Sequence, residues 1–224
     1  MSKIDIPWKV LLDKPRTGAE NMKIDLEMFK NCTAPKLRIY SWANRCISYG
    51  CLQKIDRILD VDKEVRDGWE IVKRPTGGGL VYHLPDELTY CAVCPAELLP
   101  KGIKGAYCYI SEIIVKALNS LGIDAKIGNR RPFTADRIPQ AGSRFPVPGP
   151  RQNDLCFSNT REYEITINGK KAVGSAQKRG RKAVLQQGTI QLSKHRLKRM
   201  PQYDEMASAI IKAFESGHER SPIL

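Results

Sequence analysis

The chain has 224 residues, 42% hydrophobic and 27% charged, and Lys plus Arg outnumber Asp plus Glu by 37 to 24. That length favours one sizeable core over two small ones, and the composition is ordinary for a soluble globular protein. No run of about 18 apolar residues exists, which excludes a transmembrane helix, and the N-terminus lacks the apolar stretch of a secretory signal. The seven cysteines, from Cys32 to Cys156, are odd in number and form no disulfide-scaffold pattern; the expected setting is a reducing cytoplasm. A net charge of +13 suits acidic partners. Its densest runs are 178–182 and 194–199, and neither is interleaved with aromatic residues, which argues against a base-stacking surface for nucleic acid.

In chain order, Thr17 and Glu20 form a capping box that opens a helix, with Met22, Leu26 and Phe29 as its apolar face. Strands are expected at 37–42 and 46–49, separated by a turn at 43–45, then short helices near 54–59 and 63–66. A strand-like run at 69–73 feeds Arg74-Pro75-Thr76-Gly77-Gly78-Gly79, and a β-rich run leaves it. Three consecutive glycines let the backbone take positive φ values and lie against a ligand, although a plain glycine-rich hairpin would read the same way. A buried strand follows at 88–94, and the clearest helix runs from about Ala106 to Leu121. Residues 130–152 hold five prolines and read as a long irregular segment, a candidate mobile lid. The last third is β-rich: an alternating strand at 163–167, an Asn168-Gly169 hairpin turn, a return strand from Lys171, and another strand region formed by 184–185 and 189–192. An amphipathic helix with Met206, Ile210, Ile211 and Phe214 on one stripe closes the chain. Hairpins outnumber crossovers, so the expected fold is α/β (α+β) with a mixed, largely antiparallel central sheet.

Cys91 and Cys94 have the spacing of half a zinc site, but no second pair completes it. Inside an apolar strand, residues three apart face opposite ways, so these read as core cysteines and no metal site is expected. The glycine loop lacks the Gly-Lys-Ser/Thr ending of a phosphate loop, and its amides suit an acyl group instead. Downstream, Lys171 is followed by Gly174-Ser175-Ala176, a small-residue run that a ligand could approach closely. A lysine there can hold a carbonyl oxygen or carboxylate as a fixed charge.

Taken together, 74–83 (RPTGGGLVYH) and 169–177 (GKKAVGSAQ) resemble the lipoate-protein ligase and octanoyltransferase branch of the biotin/lipoate ligase superfamily. Asn21 to Asp25 is similar to the family's first helix. Ser48 to Gln53 resembles a strand-to-loop motif ending in glutamine, and 185–190 a segment that often carries His where Gln187 stands. The resemblance covers roughly residues 15–215 and implies one catalytic domain over 1–224, a mixed sheet flanked by helices, with no C-terminal accessory domain. It implies Cys156 and Lys171 as catalytic residues, and Gln53, Arg74, Gly77, Gly78, Gly79, His83, Gly174, Ser175 and Ala176 as substrate-binding ones.

The branch runs two chemistries. Octanoyltransferases move octanoate from acyl carrier protein through a cysteine thioester to a lysine of a lipoyl domain, and need no cofactor. Ligases use ATP and Mg2+ to make an acyl-adenylate, in some cases with a separate accessory subunit. Cys156, in Asp154-Leu155-Cys156-Phe157 ahead of Tyr163-Glu164-Ile165, resembles the cysteine-dependent octanoyltransferases, and a thiolate nucleophile is what the thioester route requires. In this reading His83 or Lys171 deprotonates the incoming lysine. The implied partners are octanoyl-acyl carrier protein and lipoyl-domain proteins, either 2-oxoacid dehydrogenase E2 subunits or the glycine cleavage H protein. No membrane and no nucleic-acid partner is expected; a non-catalytic basic binding protein is the alternative of a different class.

Overall fold

The computed structural model describes residues 7–128 and 163–216. Strands β1 (Lys9–Leu12), β2 (Lys36–Tyr40), β6 (Thr89–Pro95), β7 (Ala125–Ile127), β8 (Ile165–Ile167), β9 (Lys170–Arg179) and β10 (Ala183–Ile190) form the main sheet. Its order is β1-β2-β6-β10-β9-β8-β7. Only the edge pair β1–β2 is parallel; the other pairings are antiparallel. The mixed, largely antiparallel sheet expected from the sequence is therefore present. Every residue of β6 and β10 is buried, as central strands covered on both faces must be.

Helices α3 (Gly102–Ser120) and α4 (Tyr203–Glu215) cover one face. Ile110, Ile113 and Ile114 meet Ile210 and Phe214 there, above Tyr90, Ala92 and Cys94 of β6. Helix α1 (Gly18–Lys30) covers the other face, where Met22 packs with Tyr40, Trp42, Cys91, Val93 and Leu185. Cys91 and Cys94 thus fall in different clusters, on opposite faces of one strand, as core cysteines should. Burial pushes the Cys91 thiol far up and that of Cys94 to about 12, which leaves neither a ready nucleophile. No helix among the described residues is long and apolar enough to cross a membrane.

The capping box at Thr17 and Glu20 opens α1 as expected. Its inward face differs from the expected stripe. Leu26 and Phe29 are only half-buried, whereas Asn21 and Asp25 are fully buried. A buried strand cation, Arg38, lies beneath and attracts them (below).

A second, smaller sheet was not foreseen. Strands β3 (Cys46–Tyr49), β4 (Glu70–Lys73) and β5 (Val81–His83) pair in the order β4-β3-β5. The turn at 43–45 therefore carries the chain from one sheet to another instead of closing a hairpin. Backbone groups there are already used: Ala43 N donates to Arg16 O at 2.8 Å and Trp42 N to Pro85 O at 3.4 Å. The helix expected near 54–59 is one 3-10 turn at Ile55–Arg57, and α2 (Val61–Arg66) follows. Glu70 of β4 accepts from the amides of Gly18 and Ala19 at 2.7 and 2.8 Å, so a carboxylate on the small sheet caps the positive end of α1.

Candidate active site

The Asn168-Gly169 turn has positive φ at both residues, 50° and 73°, the backbone that a two-residue hairpin needs. Beyond it β9 carries an irregularity: Thr166 faces Lys171, yet Ile165 faces Val173, leaving Ala172 as an extra residue. Ala172 and Val173 both enter the core beneath α3 and α4. That bulge shifts the alternation by one and sends Lys171 to the α1 face together with Gly174 and Ala176. Lys171 is 8% exposed there, and its Nζ lies 2.5 Å from Glu164 Oε1. Its carbonyl oxygen is 3.2 Å from Nε2 of the buried His195.

On the same face a chain of buried polar groups runs from helix to loop. Arg38 lies between two carboxylates, with Nη1 2.8 Å from Asp25 Oδ1 and Nη2 2.9 Å from Asp13 Oδ2. Burial pushes the Asp25 carboxyl upward, while Arg38, Gln187 and the Tyr40 hydroxyl pull it back. Gln187 of β10 donates from Nε2 to Asp25 Oδ2 at 2.6 Å, and its Oε1 accepts from Thr76 Oγ1 at 3.0 Å. Asp25 thereby fixes which end of the Gln187 amide faces the loop. Gln186 donates to the Tyr90 hydroxyl at 3.2 Å and accepts from Gln177 at 2.8 Å. With both amides satisfied, the pair sits inside one continuous strand, β10, which covers most of the strand region expected at 184–192 and stops before Gln191 and Leu192.

The glycine segment connects β4 to β5 across β3, which separates them, so it is a crossing loop and not a hairpin turn. Arg74 is its internal template. Nη2 donates to Gly77 O at 2.9 Å and Gly79 O at 2.6 Å; Nη1 donates to Ser48 O at 2.8 Å and Ser48 Oγ at 3.0 Å. Gly78 adopts φ of +94°, and a Cβ on Gly50 would come within 2.2 Å of the Gly78 carbonyl oxygen. Glycine is therefore required at both positions. Gln53 acts at the same junction, accepting from the Gly50 amide at 2.9 Å.

His83 is 3% exposed, with its ring stacked on Trp42 at 3.9 Å. Because Arg74 donates to Ser48 Oγ, the serine hydroxyl is disposed to donate onward to His83 Nε2 at 2.8 Å. That arrangement leaves the ring proton on Nδ1, which faces Glu87 Oε1 and Thr189 Oγ1, each at 3.4 Å. Burial lowers the pKa of His83, against the upward pull of Glu87, and favours the neutral ring.

These groups surround a cavity of about 30 Å³, lined by Met22, Trp42, Arg74, His83, Gln187 and the Gly174–Ala176 run among others. Of the residues expected at the site, Arg74, His83, Gly174, Ser175 and Ala176 meet here. Gly77, Gly78, Gly79, Gln53 and Lys171 do not line it, though the first four build or brace the adjoining loop and Lys171 lies farther along the same face of β9. Cys156 and the segment 130–152 lie outside the described residues. Met22, Tyr40, Trp42, Ser48, Thr76, Thr89, Gln187, Gly188 and Thr189 also line the cavity; none was named as a site residue from the sequence, although Met22, Ser48, Thr76, Gln187, Gly188 and Thr189 lie in the segments that resemble the family. One clue was available: Arg38 in an apolar strand, and Asn21 and Asp25 one helical turn apart. A groove of about 1070 Å³ beside β5 and α4 is larger, but none of the expected site residues lines it.

The sequence and the fold have counterparts among known proteins. The octanoyltransferase LipM of Clostridioides difficile is 37% identical over 189 residues, 82% of this chain. That of an Exiguobacterium species is 37% identical over 193 residues, 83% of this chain. The matches span only 65% and 66% of those relatives' own lengths. The solved bipartite lipoate protein ligase of Thermoplasma acidophilum shares the fold, with a TM-score of 0.70 at 18% identity, covering 94% of this chain and 83% of that one. The family model described as the lipoyl protein ligase A/B catalytic domain matches residues 17–219, and the chain belongs to that family.

Proposed function

We propose that this protein transfers an octanoyl group from octanoyl-acyl carrier protein to a lysine of a lipoyl-domain protein, without a cofactor. The observation that carries this reading is the 37% identity to an octanoyltransferase over 82% of the chain. Cys156, a cysteine in a stretch resembling the thiol-dependent enzymes, supports it. The Cys156 thiolate attacks the thioester carbonyl of the donor, and the carrier thiolate departs and takes up a proton. The octanoyl group remains on Cys156 as a thioester. The acceptor amine then attacks that carbonyl, the amide forms, and the Cys156 sulfur leaves.

Lys171, oriented by Glu164, steadies the oxyanion of each tetrahedral intermediate. Because Lys171 is ion-paired and the free lone pair of the neutral His83 ring accepts from Ser48, which also lines the cavity, the acceptor's proton passes to His83 through the Ser48 hydroxyl. The octanoyl chain enters between the glycine loop and Gly174–Ala176. A cavity of about 30 Å³ admits only a water or two, so the chain has to displace side chains. Met22, unbranched and flexible, is the one suited to swing aside.

Intact-mass analysis after mixing with octanoyl-acyl carrier protein, without ATP, tests this. The expected result is a hydroxylamine-sensitive octanoyl adduct that is lost in Cys156→Ser, followed by octanoylation of an added E2 lipoyl domain or H protein. Strict dependence on ATP with Cys156→Ala fully active would establish the ligase chemistry instead. No acylation, with salt-sensitive RNA binding, would point to the basic binder.

A further inference from the structure

Three elements bring cations together at one end of the main sheet. The β9–β10 turn carries Lys178, Arg179, Arg181 and Lys182, and is closed by Gly180 N donating to Ala183 O at 2.9 Å. It leans on the last turn of α1, because a Cβ on Gly180 would lie 2.9 Å from the Phe29 ring, and Lys178 Nζ is 5.7 Å from that ring's centre. Lys30 ends α1. Lys36 opens β2 opposite Val93, close to where β6 ends, and Ala96 just beyond β6 donates to Lys182 O at 2.9 Å.

These six cations are exposed or half-exposed, and none forms an ion pair among the described residues. The nearby exposed carboxylates on these elements and the turn after β6 are Glu27 and Glu97. The other basic run is different: His195 is buried against Lys171, and Arg199 pairs with Glu205 at 2.7 Å.

We infer that this end of the sheet is the docking surface for an acidic acyl-carrier domain that presents its acyl group on a long flexible thioester arm. The inference rests on the transferase reading above. Two rulers give the distance to the cavity. From Ala176, which lines it, to Arg179 is three strand residues, about 10 Å. From Met22, which also lines it, to Phe29 is seven helical residues, again about 10 Å. An acceptor lysine reaches only roughly 6 Å from its own backbone, so the acceptor domain must sit directly over the cavity. A donor on a long arm can dock at this distance. Nucleic acid fits less well, because Phe29, the aromatic ring at the patch, is half-buried beneath the turn and offers no stacking platform.

The test is the binding of octanoyl-acyl carrier protein to wild type and to Arg179→Glu/Arg181→Glu/Lys182→Glu, measured directly and apart from turnover. The dissociation constant should rise about tenfold or more in the variant, and wild-type binding should weaken with salt. The variant's thermal midpoint and its affinity for the lipoyl domain should stay unchanged. If the triple variant misfolds, Arg181→Glu alone should show a smaller rise of the same sign. Unchanged carrier affinity, weakened affinity for the lipoyl domain alone, or displacement of the carrier by RNA would each overturn the inference. Failure of the transfer reading shows separately, as absence of octanoyl transfer by wild type whatever the affinities.

Discussion

The two faces of the main sheet are built on opposite principles. Beneath α3 and α4 the contacts are apolar: Ile110, Ile113, Ile210 and Phe214 bury against Tyr90, Ala92 and Val184. Beneath α1 the sheet presents Arg38 and Gln187 to Asp25 of the helix, all three buried and joined by hydrogen bonds that end at Thr76 beside the glycine loop. The first face supplies bulk stability by removing apolar surface from water. The second fixes orientation, since a buried polar chain tolerates few arrangements. The candidate site lies on the second face, where side-chain direction matters most.

One substitution on each face separates these roles, with the largest effects expected. Phe214→Ala leaves a cavity in the apolar face and should cost about 3–5 kcal/mol, by a similar amount at every pH. Arg38→Met should cost a similar 3–5 kcal/mol near neutral pH, because it strands the Asp25 carboxylate without its cation. In that variant the folded-state pKa of Asp25 rises far above its unfolded value. The carboxyl then protonates in the native state as the pH falls, and the deficit should shrink toward pH 4. Denaturant titrations at several pH values distinguish the two; equal pH profiles would remove the distinction between the faces.

Gly188 tests the boundary between them and should have an intermediate effect. It lines the cavity, yet a Cβ there would lie 2.4 Å from the Tyr90 ring on the apolar side. Tyr90 cannot easily yield, because its hydroxyl is held by Ser175 at 2.8 Å and by Gln186. Gly188→Ala should cost about 1–3 kcal/mol through overpacking. A thermal midpoint unchanged from wild type would mean that the ring is looser than its hydrogen bonds imply.

The apolar face was the legible one. The helical spacing of Ile110, Ile113, Ile114, Ala117 and Leu118 reads directly from the chain, and all five are buried. Asn168-Gly169 likewise declares its own turn, because the preference is local. The polar face was hidden for the opposite reason. Asp25 and Gln187 stand 162 positions apart, and although both lie in segments that resemble the family, neither segment shows that the two side chains are buried and meet. The small sheet escaped notice because a strand carries no mark of which partner it will take. At the site, the glycine loop and Gly174–Ala176 were visible as local runs of small residues. That Arg74 folds the loop from within, and that a bulge at Ala172 turns Lys171 onto the α1 face, follow only from pairing in three dimensions.

The smallest effect concerns His83, which belongs to the polar face yet is held neutral by burial. Its folded pKa is lowered from 6.5 chiefly by desolvation, with Glu87 opposing and Arg74 assisting. The unfolded chain therefore takes up a proton first as the pH falls below 6.5. Stability contributed by the neutral ring is complete above that value and declines from there down to the lower folded pKa. His83→Gln should remove that part of the slope while leaving the dependence at lower pH, where carboxylates titrate. Thermal midpoints at pH 7.5 and 5.5 should accordingly differ less in the variant than in wild type. Equal differences in both proteins would mean that His83 gains its proton inside the folded site, and the Ser48 hydroxyl would then no longer be the donor to Nε2.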